Sequence, residues 1–115
     1  MLQQKNRFHG HGSLRYVYRN GQATRSSMIT IKYISNPHRK NSRFSVVISK
    51  KVIKLAVKRN RLRRRIYEII RTELPKLKTN HDVVIMIFSP EVYSFDSDKL
   101  NQVLKASLSQ SGLYK

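Results

Sequence analysis

Residues 50–65 read KKVIKLAVKRNRLRRR, with nine Lys or Arg in sixteen positions. An Arg guanidinium is a flat, permanently charged fork that holds two phosphate oxygens, and a Lys is a point charge on a flexible stem. Asn60, in the middle of the run, can donate to a phosphate or a ribose hydroxyl and accept from a base amine. The chemistry available here is recognition of a polyanion. A solvated, self-paired helix face explains the run poorly, because no acids are interspersed for i, i+4 pairing. The cations begin where a helix N-terminus is predicted, and the macrodipole disfavours them there. Arg63, Arg64 and Arg65 are consecutive and repel one another. Such a surface is shaped for a partner.

Bond-breaking groups are hard to find. The first acid in the chain is Glu68, and of the six acids only Asp96 and Asp98 are close in sequence. A paired-carboxylate hydrolase or a two-metal nuclease needs acids that converge on one pocket. Asp96 and Asp98 read more simply as helix caps. His9 and His11 could ligate a metal in an extended segment, but with no Cys and no nearby carboxylate they read better as flexible polar or RNA-facing residues. GHG is too short for a phosphate loop, and neither GxGxxG nor GxxxxGK occurs. No catalytic residue and no metal site is expected in the chain itself.

The charge is distributed unevenly. The first 67 residues hold 18 Lys and Arg and no Asp or Glu, and the other 48 hold six of each sign, so the net +18 falls on the N-terminal part. Accumulated like charge costs self-repulsion, which a bound polyanion relieves. Hydrophobic content of 39% with six Tyr and four Phe excludes a disordered basic tail. One domain over residues 1–115 is the simplest organisation, with residues 1–12 a basic start that is mobile until bound, and composition alone does not separate RNA from DNA as its partner. The absence of Cys excludes disulfides and thiolate metal sites. No signal-peptide pattern is seen, and the longest apolar run, VVIMIF, is too short to span a bilayer. The basic residues do not build a long amphipathic helix with an apolar face, so nucleic acid is favoured over an anionic membrane.

The elements that position these groups follow from periodicity. Ser13 suits an N-cap, Leu14, Val17 and Tyr18 share a face, and Gly21 suits a stop, which predicts a two-turn helix. Residues 26–34 and 43–49 alternate as strands, and the short polar link between them argues for an antiparallel hairpin. From about Ile53 to Pro75 the period is helical. Leu55, Leu62, Ile66, Ile69 and Ile70 form the apolar stripe, with Asn60, Arg64, Tyr67 and Arg71 opposite. Arg61 and Arg65 flank the stripe on one side, Arg59 and Arg63 on the other. Residues 81–89 read as a central strand, buried on both faces. Ser97 or Asp98 could cap a last helix that buries Leu100, Val103, Leu104 and Leu108. The expectation is an α+β fold, order α-β-β-α-β-α, with helices on one mixed sheet and a βαβ crossover. Phe8, Tyr16, Tyr18 and Phe44 could offer stacking faces to single-stranded bases, with a core role for Tyr18 and Phe44 equally open.

SKK followed by AVKRNRLRRRIYE resembles the signature of the bacterial ribonuclease P protein component. The matching residues are Ser49, Lys50, Lys51, Ala56, Val57, Arg59, Asn60, Arg61, Arg63, Arg64 and Glu68. LRYVYRNG resembles the family's first helix and DVVIMIF its third strand, so the likeness covers nearly the whole chain. The chain departs from the family pattern at Leu14, Ser45, Tyr67, Phe88 and Ser89. The resemblance implies a ribosomal-protein-like fold with a left-handed crossover and a cytoplasmic ribonucleoprotein that removes the 5′ leader of precursor tRNA. It implies that the catalytic RNA carries the Mg2+ ions and the chemistry. It places Lys50, Lys51, Lys58, Arg59, Asn60, Arg61, Arg63 and Arg64 against that RNA. It places Leu14, Tyr18, Phe44, Val46 and Ile48 in a cleft for the leader. A non-enzymatic RNA-binding protein, such as a ribosomal protein, shares the charge and the fold class and is the alternative.

Overall fold

The computed structural model describes residues 4–8 and 11–115. The elements are α1 (His11–Asn20), β1 (Gln22–Arg25), β2 (Ile29–Ser35), β3 (Arg43–Ile48), α2 (Ala56–Glu73), β4 (His81–Ile87) and α3 (Ser97–Gln110), with short 3-10 turns at Gln4–Asn6, Leu74–Lys76 and Pro90–Ser94. The expected α+β class and helix–strand order hold, with β1 as an additional strand. His9 lies outside the described residues. Helix α1 begins before Ser13, which therefore lies within the helix instead of capping it.

The four strands form one mixed sheet in the order β1-β2-β4-β3. The predicted hairpin between β2 and β3 is not formed. Strand β4 lies between them, antiparallel to β2 and parallel to β3. Val83, Val84 and Ile85 have no exposed surface, so this run takes the position with both faces covered. The link at residues 36–42 is long enough to step across one intervening strand at about 5 Å per strand spacing. Arg43 clips the start of β3 to β4, donating to both carboxylate oxygens of Asp82 at 2.9 and 2.8 Å. The β3–α2–β4 segment is the expected crossover.

Side-chain alternation along the strands divides the core between the two faces. Phe44, Val46, Ile48, Val83, Ile85 and Ile87 belong to the large core, with Leu62, Ile66 and Ile70 of α2 and Leu100, Leu104 and Leu108 of α3. On the other face Val17 of α1 and Phe8 meet Val84, ringed by Leu14, Tyr18, Ile34, Val47 and Met86. The α2 stripe buries as predicted except at Leu55, which precedes the helix and is 54% exposed. Tyr67, expected on the outer face, is buried, and its hydroxyl accepts from the Val46 N–H at 3.3 Å. Asp96, one of the two acids read as caps, caps α3 by accepting from the Lys99 N–H at 2.8 Å, whereas Ser97 and Asp98 lie in the first turn. Val103 is only partly buried there, and Ser107 joins the buried face.

Gly21 ends α1 for a steric reason. Its N–H donates to the Val17 carbonyl at 2.8 Å. A Cβ at this position would lie 2.6 Å from that oxygen and 2.9 Å from the Tyr33 carbonyl oxygen. No other residue fits without moving backbone.

Candidate RNA interface

A tight turn follows β3. The Ser49 carbonyl accepts from both the Val52 and the Ile53 N–H at 3.1 Å, so Lys50 and Lys51 are thrown outward while Ile53 anchors in the core. Helix α2 then starts at Leu55 with no side-chain cap. Arg59 bends back over this entry and donates to the Ile53 and Lys54 carbonyls at 2.9 and 2.8 Å.

The arginines of α2 divide into two sets. Arg63 donates through Nε to the Val46 carbonyl at 3.3 Å and through Nη1 to the Asn60 side-chain oxygen at 2.7 Å. Arg65 holds the carbonyls of Tyr93 and Phe95 at 3.2 and 2.6 Å. Arg61 donates to the Tyr93 hydroxyl at 3.1 Å. These guanidiniums tie α2 to β3 on one side and to the 90–95 segment on the other. Arg64 is exposed, with a single long contact of 3.5 Å to the Asn60 carbonyl. Lys50, Lys51, Lys54 and Lys58 are also exposed. Among the described residues the ion pairs join Arg43 to Asp82, Arg71 to Glu68, and Lys76 and Lys105 to Glu73. None neutralises a cation between residues 50 and 65, so this face has charge to offer a phosphate backbone.

Beside it runs a groove of about 360 Å³ between α1 and α2, along the free edge of β3. It is lined by Leu14, Ser45, Val46, Val47, Ile48, Arg63 and Tyr67. The expected cleft residues separate here. Leu14, Val46 and Ile48 line it. Tyr18 is half-buried over Val84 and carries the Lys32 ammonium 5.3 Å from its ring centre, and burial raises its hydroxyl pKa. Phe44 is only 1% exposed and faces the α2 side, so its ring offers no stacking surface. Strand alternation sends residues 44, 46 and 48 one way, and the α1-facing apolar floor includes Val47 instead. Phe8 is likewise buried, under the Arg43 guanidinium at 5.0 Å, whereas Tyr16 is 56% exposed. Sequence reasoning missed Tyr67 and Val47 as lining residues. A count of strand parity would have found Val47.

The acids do not assemble a metal donor set. Burial would raise the Asp82 carboxyl, but hydrogen bonds from Arg43 and Asn36 outweigh it and hold the group below its ordinary value. Arg71 is the largest influence drawing the Glu68 carboxyl down to about 2. Burial pushes the Tyr114 hydroxyl up, and the hydrogen bond it donates to Glu73 at 2.8 Å adds to this. Among the described residues no three His, Cys, Asp or Glu converge. Among the described residues no helix is long and apolar enough to cross a membrane.

Fold and surface together define a basic α+β protein with an acid-free face built around one helix and an edge groove. The Ribonuclease P family model matches residues 2–112, and the chain belongs to this family. It is 32% identical over 97 residues to the ribonuclease P protein component of Synechocystis sp., covering 84% of this chain and 77% of that one. It is 30% identical over 112 residues to the component of Pseudanabaena sp., covering 94% and 97%. The RNase P protein of Staphylococcus aureus shares the fold, with a TM-score of 0.86 over 96% of this chain and 98% of that one at 17% identity. The Thermotoga maritima RNase P protein does so with a TM-score of 0.79 over 90% and 96%, at 18% identity. The chain is thus an RNA-binding subunit of a ribonucleoprotein endoribonuclease of tRNA processing.

Proposed function

We propose that the chain binds the catalytic RNA of ribonuclease P through the 50–65 face and holds the 5′ leader of precursor tRNA along the β3-edge groove. The observation that carries this reading is the set of exposed cations Lys50, Lys51, Lys58 and Arg64 with no acid among them, beside a groove. Arg59, Asn60, Arg61 and Arg63 support it by fixing the shape of that face, and each can share remaining donors with a phosphate. Leu14, Val46, Val47 and Ile48 give the groove an apolar wall, while Phe44 supports the strand from beneath.

The protein's part is positioning and relief of backbone repulsion. Glu68, Glu73 and Asp82 are engaged by Arg, Lys, Asn and Tyr side chains and Asp96 caps α3, so we assign the Mg2+ ions and the phosphodiester hydrolysis to the RNA, in the cytoplasm. Reconstitution tests the reading. Precursor tRNA is incubated at low magnesium with the ribonuclease P RNA of the same genome, with and without this protein. Stimulated removal of the leader is expected, and absence of stimulation overturns the reading.

A further inference from the structure

A second cavity, of about 370 Å³, lies at the other end of the basic face, between the turn that enters α2 and the 90–94 segment. Its wall is Val52, Ile53, Leu55, Pro90 and Tyr93, and its rim carries Lys54 and Lys58. We propose that this pocket takes one unpaired nucleobase of the RNA partner, stacked on Tyr93, with Lys54 and Lys58 on the flanking phosphates. The proposal rests on the RNA-subunit reading above and deepens it.

The first argument is the mixture of surfaces. Lysines alone satisfy a phosphate. A phosphate contact gives no reason to leave Leu55 54% exposed beside them. Apolar walls, an aromatic ring and cations in one small cavity match the two parts of a nucleotide, base and phosphate. No acid lines the cavity, so an anion is its complement.

The second argument is that the ring is built into place. Tyr93 is gripped at its hydroxyl by Arg61 and at its carbonyl by Arg65. An aromatic fixed beforehand loses little freedom when a ligand stacks on it, which favours binding. Two of the α2 arginines are therefore engaged in holding a platform. The Lys58 ammonium sits 5.4 Å from the ring centre. Lys58 is exposed and the ring only partly buried, so this cation is weakly held and a phosphate can draw it aside as the base arrives. A base free to stack on a side chain is one outside a duplex, which makes the ligand an unpaired nucleotide.

The test uses the full chain and a transcript of the ribonuclease P RNA from the same genome, titrated across a salt series. Tyr93→Leu is expected to weaken binding about 5- to 150-fold, as loss of one base stack does, with the salt slope unchanged. Tyr93→Phe keeps the ring but loses the Arg61 grip on the hydroxyl, and is expected to bind more weakly than the wild type yet to retain most of the affinity that Tyr93→Leu loses. Lys54→Ala is expected to flatten the salt slope by about one. Wild-type affinity in Tyr93→Leu overturns the pocket and leaves the RNA-subunit reading standing. Failure of the wild type to bind overturns both. Should Tyr93→Leu unfold, photocrosslinking of wild-type protein to 4-thiouridine-substituted RNA decides. Crosslinks in peptides holding Leu55 or Tyr93 support the pocket, and crosslinks confined to other peptides overturn it.

Discussion

Arg64 and Arg65 are adjacent and chemically identical, yet the fold uses them differently. Arg64 points to solvent, while Arg65 holds two backbone carbonyls 28 and 30 residues downstream. Arg64→Ala should therefore leave stability within about 0.5 kcal/mol while weakening RNA binding, as an exposed substitution does. Arg65→Ala should cost about 1–3 kcal/mol by leaving those carbonyls short of a donor. Ile66→Ala, a fully buried position, should cost about 2–5 kcal/mol. Urea unfolding beside filter binding separates the three. A helical wheel places residue 65 beside the apolar stripe, and that much is legible in the sequence. Which guanidinium finds a carbonyl is not, because the acceptors arrive from a distant segment. Asp82 sets a pH limit in the same local manner. Its folded pKa is lowered by Arg43 and Asn36 against the opposing effect of burial. The stabilisation is present above the ordinary carboxylate value near pH 4 and is lost as pH falls through the lowered one. Asp82→Asn should be less stable at neutral pH and should flatten the acid limb of the unfolding curve.

Elements were readable where periodicity was strong and buried. The α2 stripe through Leu62, Ile66, Ile69 and Ile70 and the apolar run of β4 needed no tertiary information. Strand β1 did. Gln22–Arg25 is a short polar run with an almost wholly exposed pattern, and it becomes a strand by pairing with β2. The mistaken hairpin has a related cause. Local pattern identifies strands and their degree of burial, but β4 becomes the neighbour of both β2 and β3 only through contacts across the whole sheet. Tyr67 was misplaced because the helical wheel puts it opposite the aliphatic stripe, whereas in the fold β3 packs against that side of α2 and the hydroxyl satisfies the Val46 N–H. At the end of α1 the constraint is steric. Gly21→Ala should lower the melting temperature measurably, since the added methyl meets two backbone oxygens, and circular dichroism melts would register it.

For the whole molecule, the charge asymmetry sets the response to salt. If about six cations of the 50–65 face each neutralise a phosphate, affinity should fall by roughly three orders of magnitude between 50 and 200 mM salt. A fall of tenfold or less would mean that most of these side chains never reach the RNA. The charge asymmetry and the fold class were both plain in the sequence. The groove was only partly so, since it depends on strand parity and on which helix covers which face. The sheet order has one more consequence, which concerns synthesis of the chain. The strand that joins β2 to β3 ends at Ile87, so a nascent chain leaves the ribosome with its most basic stretch already extended and no sheet able to close. Two strand edges and a row of cations wait together until the middle strand follows them out, and contacts so distant in sequence form slowly. Until that strand is in place the cations of the 50–65 stretch have no sheet to hold them in register, and completing the sheet is what gives the surface its fixed shape.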